Sequence, residues 1–346
     1  MINVTAPINS LGYGVASYNI IKSLLVLGQN INYIPIGQPE INDPFISNIT
    51  MSATHEKTPS VKIWHQHELH GHIGKGMHVG FPIFELERFN KLEKQSIKYN
   101  DRIFTCSKWA KQIVEEQTGV ETRVVPLGVD TEIFKPHDST RPKTVFFNCG
   151  KWEVRKGHDV LVNCFNAAFD HSDDVELWMM CHNPFYSPEQ QGQWERLYKD
   201  SPLGDKIRII PRQNTHTDVY NIMKQADCGI FPARAEGWNL ELLEMMACGK
   251  HVIATEYSAH TEFCNKKNCN LISIDNLEPA QDGVWFHGQG MWASLGKRQL
   301  EQIVEEMRLV HRQKQNGSLE SNIDGIYTAK EFSWKNSAEK FIKGLE

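Results

Sequence analysis

The chain has no apolar run long enough to cross a bilayer. Its most apolar early stretch, Ile20 to Leu27, is broken by Lys22 and falls far short of the ~20 residues a spanning helix needs. The opening Met1-Ile2-Asn3-Val4 has neither a basic leader nor a long apolar segment, so no signal peptide is expected. CxxC pairs are missing. The eight cysteines are scattered at 106, 149, 164, 181, 228, 248, 264 and 269, and the closest pair, Cys264 and Cys269, fits no common zinc spacing. Reduced, mostly buried thiols in a cytoplasmic protein are the expectation. Positive charge is not in excess: 37 basic against 42 acidic side chains leave a net charge of -5. That balance excludes a general nucleic-acid backbone binder and leaves room for local basic spots that take one small anion. There is no internal repeat, no low-complexity tract, no HExxH and no complete GxGxxG.

What is present is ordinary globular composition, 40% hydrophobic and 23% charged, over 346 residues. At roughly 150 residues per domain this suggests two domains. Short apolar runs alternate with helical patterns, the signature of βαβ units. Strands are expected over 1–6, 61–64, 77–81, 102–106 and 123–126. Between them lie a turn over 7–14 with Gly12 and Gly14, a helix over 15–27 closed by Gly28, and a helix to 116 capped by Ser107. A second series carries strands over 144–149, 176–180, 207–210, 228–231 and 251–255. Its helices run over 159–169, from a Thr217 cap to 226, and over 240–248. The proline-punctuated stretch 135–143 reads as a linker, and two amphipathic segments, 300–312 and 332–345, close the chain. The reading is α/β, with two Rossmann-like doubly wound domains facing a cleft, the default place for a ligand.

Four segments have residues suited to chemistry. In Phe231 to Glu244 a strand runs through a short loop into a helix. Free N–H groups near Asn239 and Leu240 favour an anion, and Gly237 admits close backbone approach. Glu236 is placed to accept from sugar hydroxyls and Glu244 to hold a diol such as a ribose; the plainer alternative is acids that merely complement the helix dipole. In Cys149 to Gly157, Lys151 and Lys156 stand at a strand's carboxyl end and suit a diphosphate, or are simply solvated. The Gly12/Gly14 turn admits a phosphate or sugar. His65-Gln66-His67-Glu68-Leu69-His70-Gly71-His72 suggests either metal ligands or polar histidines along a sheet edge.

Together these residues resemble the retaining glycosyltransferases of family 4, which have the glycosyltransferase B fold. Glu236-Gly237-Trp238-Asn239-Leu240 through Glu244 and on to Gly249 is similar to the family's E-x7-E block. Gly150-Lys151 to Lys156-Gly157 is similar to its diphosphate loop, with Lys151 where arginine is usual. Ser107-Lys108-Trp109, Val125 to Asp130 and Phe332-Ser333-Trp334 resemble further family segments. The resemblance implies an acceptor domain over 1–138, a donor domain over 139–325, and a closing helix over 326–346 that crosses back. It implies a hexosyltransferase using a nucleoside-diphosphate sugar as co-substrate, with no cofactor and no metal, in keeping with the lack of an evident Asp-x-Asp. Glu236 and the backbone of Gly237, Trp238, Asn239 and Leu240 would hold the sugar and phosphate. Lys151 and Lys156 would neutralise the leaving diphosphate, Glu244 would hold the ribose, and Gly12 and Gly14 would close the donor site. The family's usual first-domain histidine has no clear counterpart, and Glu85 or His67 would take its place. A sugar-nucleotide epimerase and a non-catalytic sugar-nucleotide binder are the competing readings. The sugar, the base, the acceptor and the oligomeric state stay open.

Overall fold

The computed structural model describes residues 1–40, 44–50 and 56–346. The chain forms two compact units, Met1–Gly128 with Phe332–Glu346, and Val129–Glu331. Residues 129–138, placed with the first domain on sequence grounds, pack with the second, as do residues 326–331.

The first unit begins with β1 (Ile2–Ala6), α1 (Gly12–Val26), β2 (Ile31–Pro35), α2 (Pro44–Ile49), β3 (Ser60–Lys62) and β4 (His78–Gly80). It continues through α3 (Lys91–Lys98), β5 (Arg102–Thr105), α4 (Lys108–Thr118) and β6 (Thr122–Val124). Among the described residues its sheet has the order β2-β1-β3-β4-β5-β6, parallel throughout. The Ser107 hydroxyl caps α4 by accepting from Ala110 N at 3.1 Å, and Gly119, at φ 73°, ends the helix.

The second unit runs β7 (Thr144–Gly150), α5 (His158–Ala168), β8 (Val175–Cys181), α6 (Pro188–Lys199), β9 (Ile207–Ile209), α7 (His216–Met223) and β10 (Cys228–Phe231). Then come α8 (Leu240–Ala247), β11 (His251–Thr255), α9 (His260–Phe263), β12 (Asn270–Ile272), the hairpin strands β13 (Leu277–Gln281) and β14 (His287–Ala293), α10 (Lys297–Gln315) and α11 (Ile323–Glu331). Its parallel sheet has the order β12-β11-β10-β7-β8-β9. Phe146, Leu177, Ile230 and Ile253 from the strands pack with Leu161, Phe165, Ile303 and Met307 from α5 and α10. Helix α12 (Trp334–Gly344) returns to the first unit, where Phe341 meets Phe104 with ring centroids 5.2 Å apart.

Several local expectations are corrected. Gly12 and Gly14 do not lie in a turn; they are in the first turn of α1, which starts three residues before the expected 15. Thr215, not Thr217, caps α7, accepting from Asp218 N at 3.1 Å. Among the features outside the expected pattern are β2, α3, α6, β12 and the β13–β14 hairpin. In β2 the apolar run is interrupted by Asn32, a fully buried side chain whose amide donates to Asn3 Oδ1 at 3.0 Å. Helix α3 buries only Ser96 and Ile97 and is defined by a capping box between Asn90 and Glu93.

Gly14 and Gly12 differ in what surrounds them. A Cβ on Gly14 would meet the backbone and side chain of Asn9 at 2.3 Å, whereas one on Gly12 would meet nothing within 4 Å. Gly14→Ala should therefore destabilise the protein by about 1–3 kcal/mol, with Gly12→Ala showing no loss. Chemical denaturation midpoints of the two variants check this; equal midpoints would contradict the close approach at Gly14.

Candidate functional site

Beyond the carboxyl end of β7 the chain must return to start α5, and it does so through Lys151, Glu153, Arg155 and Lys156. Gly150, at φ 141°, makes that possible: a Cβ there would press on the Lys156 side chain at 3.0–3.3 Å. The four charged side chains meet Glu236, from the loop after β10, in an alternating row. Lys151 Nζ lies 2.7 Å from Glu153 Oε1, and Glu153 Oε2 lies 2.7 Å from Arg155 Nη2. Arg155 Nη1 lies 2.8 Å from Glu236 Oε2, and Glu236 Oε1 lies 2.8 Å from Lys156 Nζ. Three cations and two carboxylates leave the row formally positive.

The row is nearly dry: Glu153 is 2% exposed, and Arg155 and Glu236 are each 5% exposed. Burial alone would favour the neutral form of Glu236, but Arg155 and Lys156 outweigh it and hold the carboxyl far below its usual range. Burial likewise opposes the charge on Lys156, and Glu236 and Glu241 outweigh it, raising the ammonium above its ordinary value. Arg155 Nη1 also donates to Ala235 O at 2.8 Å, and Glu236 N donates to Ser258 Oγ at 2.8 Å. The loops after β7, β10 and β11 are thereby fastened together.

Helix α8 starts from Asn239, which takes the left-handed conformation (φ 83°, ψ 77°) that glycine usually supplies. Its side chain fixes that conformation from both ends. Oδ1 accepts from Leu242 N at 3.1 Å, and Nδ2 lies 2.9 Å from His260 Nε2. His260 Nδ1 donates to Thr255 O at 3.0 Å, so Nε2 is the acceptor and the ring is neutral, consistent with burial lowering its pKa. Gly237 and Trp238 are buried, and the Trp238 ring packs on Phe263 at 4.8 Å, so what this turn offers a ligand is backbone. Leu240 is half-buried.

Glu244 sits one turn further along α8 from Leu240. Burial, with Glu241 beside it, pushes its carboxyl up to about 8. Cys149, at the end of β7, is pushed up by burial and by the charges of Glu241 and Glu244, while Lys156 acts in the opposite sense. Lys156, Glu236, Glu241 and Glu244 thus gather around the end of β7. Lys151 does not join them. It faces Glu153, with its Nζ 5.6 Å from the Phe185 ring centroid. A depression of about 540 Å³ opens beyond β8 and β9, lined by Cys181, His182, Gln191, Glu195, Ile209 and Arg212 among others.

Of the first-unit residues, Gly12 and Gly14 flank Tyr13, whose hydroxyl donates to Ile83 O and accepts from Ile83 N, both at 2.8 Å. The Tyr13 ring meets His65 at 4.8 Å, His65 stacks on His67 at 5.5 Å, and the charge of Glu85 helps raise the Tyr13 phenol after burial. Gly12 and Gly14 flank Tyr13 in sequence, the Glu85 charge acts on it, and His67 is one ring removed through His65. The histidines themselves diverge. His72 binds Ser60 and Asn100 at 3.1 and 2.8 Å and stacks on His78. Among the described residues no group of three or more His, Cys, Asp or Glu side chains is placed to hold a metal ion.

Sequence reasoning singled out the two lysines and the two glutamates but passed over Arg155, Glu153, His158, Ser258 and His260. The first two stood in the quoted loop, where the alternation Lys-Trp-Glu-Val-Arg-Lys was the available signal. His158 gave none. Its Nδ1 accepts from Glu153 N at 3.3 Å and its Nε2 donates to Asn148 Oδ1 at 2.9 Å, a buried neutral ring whose pKa burial pushes down to about 3.

Residues 142–281 match the family model described as glycosyl transferases group 1. Among solved structures the whole chain is similar to a glycosyltransferase from Rickettsia africae (TM-score 0.73, 15% identity, covering 99% of this chain and 97% of that one). It is also similar to Anabaena HepE in complex with UDP-glucose (TM-score 0.71, 11% identity, 99% and 98% covered). The fold is the glycosyltransferase B fold. Among curated proteins, 171 residues are 25% identical to the GDP-mannose-dependent alpha-(1-6)-phosphatidylinositol dimannoside mannosyltransferase of Mycobacterium tuberculosis, covering 47% of this chain and 42% of that protein. A further 27% identity over 180 residues links it to a lipopolysaccharide core biosynthesis mannosyltransferase of Rhizobium meliloti, covering 48% and 50%. The chain's match spans about half the length of these curated relatives.

The site predicts two outcomes. Arg155→Ala leaves two buried carboxylates under-compensated and should cost about 3–5 kcal/mol of stability by denaturant unfolding; a loss below ~1 kcal/mol would show the row is not energetically coupled. Glu244, with its folded pKa raised above the unfolded value, should lose stability as pH rises through 4.5 to 8, where only the unfolded state gives up the proton freely. Glu244→Gln should remove that loss and be the more stable protein at pH 9, on the order of a few kcal/mol. Parallel pH–stability curves for the two proteins would contradict the raised carboxyl.

Proposed function

We propose that this protein is a retaining glycosyltransferase that moves a hexose from a nucleoside-diphosphate sugar to an acceptor hydroxyl without a metal ion. The observation that carries the reading is the buried row ending in Lys156, joined through Glu236 to the start of α8. It puts the Lys156 ammonium and the N-terminal end of α8 at one strand edge, which is the chemistry a departing diphosphate requires. Such donors occur among the similar proteins: one is GDP-mannose-dependent and another is seen with UDP-glucose.

On this reading Lys156 stabilises the charge that builds on the diphosphate as the glycosidic C–O bond breaks. Each Glu236 oxygen already accepts from one cation and keeps lone-pair capacity for a sugar hydroxyl. Backbone from Gly237 to Leu240 receives phosphate and sugar oxygens. Glu244, buried and next to Glu241, gains two donors from a ribose diol and ionises as it does so. Lys151, held by Glu153, adds long-range positive potential to the same edge. Glu236 is committed to its two cations and does not serve as a nucleophile. The acceptor's proton passes instead to a leaving diphosphate oxygen on the face where the new bond forms, which gives retention. Within the first unit, Glu85 and His67 are the residues proposed for the family's first-domain catalytic position.

Lys156→Ala should lower kcat by about 10²–10³-fold while raising the donor KM much less, because the charge it meets peaks in the transition state. Steady-state release of nucleoside diphosphate from a panel of UDP- and GDP-sugars, with NMR of the product anomer, makes the measurement. A near-normal kcat, or an inverted anomer, would overturn the mechanism. Turnover that disappears in excess chelator and returns with magnesium would overturn its metal independence.

A further inference from the structure

The β13–β14 hairpin is not needed to complete the parallel sheet, and its tip lies past residue 281, where the match to the family model stops. It is nonetheless firmly built. Asp282 Oδ1 accepts from the backbone N–H groups of Val284, Trp285 and Phe286 at 2.8, 2.8 and 2.9 Å. Glu278 accepts from Arg234 Nε at 3.1 Å, Trp292 Nε1 at 3.2 Å and Ser294 Oγ at 2.9 Å. Arg234, in turn, pairs with Asp159 at 2.8 Å and lies in the same loop as Glu236. The hairpin is therefore fastened to the candidate donor site.

This rigid mount holds side chains that solvent would not favour. Trp285 is 45% exposed, Val284 40% and Phe185, from the loop after β8, 55%. Trp285 and Phe185 meet edge to face, with centroids 5.6 Å apart and planes at 76°, so they form a corner with two ring faces. Lys151 Nζ stands 5.6 Å from the Phe185 centroid, which makes the corner continuous with the charged row.

We infer that the Phe185–Trp285 corner is a subsite for a saccharide ring of the acceptor. Three considerations select that occupant. A stable protein partner needs roughly 800 Å² per side, far more than two rings and a valine provide. A membrane surface wants several lysines and arginines beside the apolar residues; 277–293 contains Glu278 and Asp282 but no lysine or arginine, and Lys151 beside Phe185 is a single cation paired with Glu153. A pyranose is small and two-faced: its C–H face packs on the electron-rich face of an aromatic ring, and its hydroxyls reach polar groups at the rim. The exposed His287 and Gln289 on β14 supply polar groups on the same hairpin. The inference rests on the glycosyl-transfer reading for calling the saccharide an acceptor.

The test uses the whole protein and two independent titrations. Methyl α-mannoside, methyl α-glucoside and their 1,6-linked disaccharides are titrated by saturation-transfer NMR. UDP and GDP are titrated by calorimetry. Wild type, Trp285→Ala and Trp285→Phe are compared. The expected result is saturation of at least one saccharide on its C–H face, an affinity about tenfold or more weaker in Trp285→Ala, substantial recovery in Trp285→Phe, and unchanged nucleoside diphosphate affinity in all three. Saccharide affinity unaffected by Trp285→Ala, or no saccharide binding to the wild type, would overturn the inference. So would a drop in UDP or GDP affinity in Trp285→Ala, which would make the corner a platform for the nucleobase. Wild type that binds saccharide at the corner but neither nucleotide would instead sink the donor reading and leave the subsite standing.

Discussion

Burying Glu236 without an answering charge would cost several kcal/mol, and much of the second unit's carboxyl edge is arranged to supply that answer. Arg155 and Lys156 each hold one of its oxygens; Glu153 balances Arg155, and Lys151 balances Glu153. Each member is tolerable only because its neighbour is present. The consequence is mechanical as well as electrostatic: the loops after β7 and β10 are locked to each other, so a ligand that meets one meets both in a fixed relation. The row's surplus of one positive charge is a property of its five members together and not of any single lysine, and Glu241 beside Lys156 offsets it.

Backbone choices make this arrangement reachable. Gly150 lets the Lys156 side chain lie close against the end of β7. Asn239 does at the start of α8 what a glycine would do, and it uses its side chain to compensate for the left-handed strain: one end caps Leu242 N and the other is received by a neutral His260. Substituting an asparagine for a glycine there adds a requirement, since His260 must stay unprotonated at Nε2, and its burial secures that. Packing, capping and protonation state are therefore coupled within a few residues.

The α/β character and most strands were legible in the sequence because continuous apolar runs such as Cys228–Phe231 and His251–Thr255 have no other stable use than a buried parallel strand. Lys156, Glu236 and Glu244, which the structure brings to one strand end, stood out in the sequence because charge and a strand-to-helix passage coincide there. What escaped notice shares a different cause. β2 hides behind a buried Asn32–Asn3 pair, α3 is set by capping rather than by apolar spacing, and the β13–β14 hairpin depends on Arg234 reaching Glu278 from 44 residues away in sequence. Arg155 reads in sequence as one more solvated cation; only the fold shows that it is buried between two carboxylates. Lys151 was paired with Lys156 by proximity in sequence, whereas the loop turns their ammonium groups toward different carboxylates.

The central claim is that this positive, loop-locking row exists to receive a diphosphate. Calorimetry of uridine against UDP, and of guanosine against GDP, on the unmodified protein at moderate salt addresses it without any substitution. The account predicts that for the preferred base the diphosphate binds about 100-fold or more tightly than the bare nucleoside, equivalent to ~2.7 kcal/mol carried by charge-assisted contacts. Nucleoside and nucleoside diphosphate binding with the same affinity would contradict it.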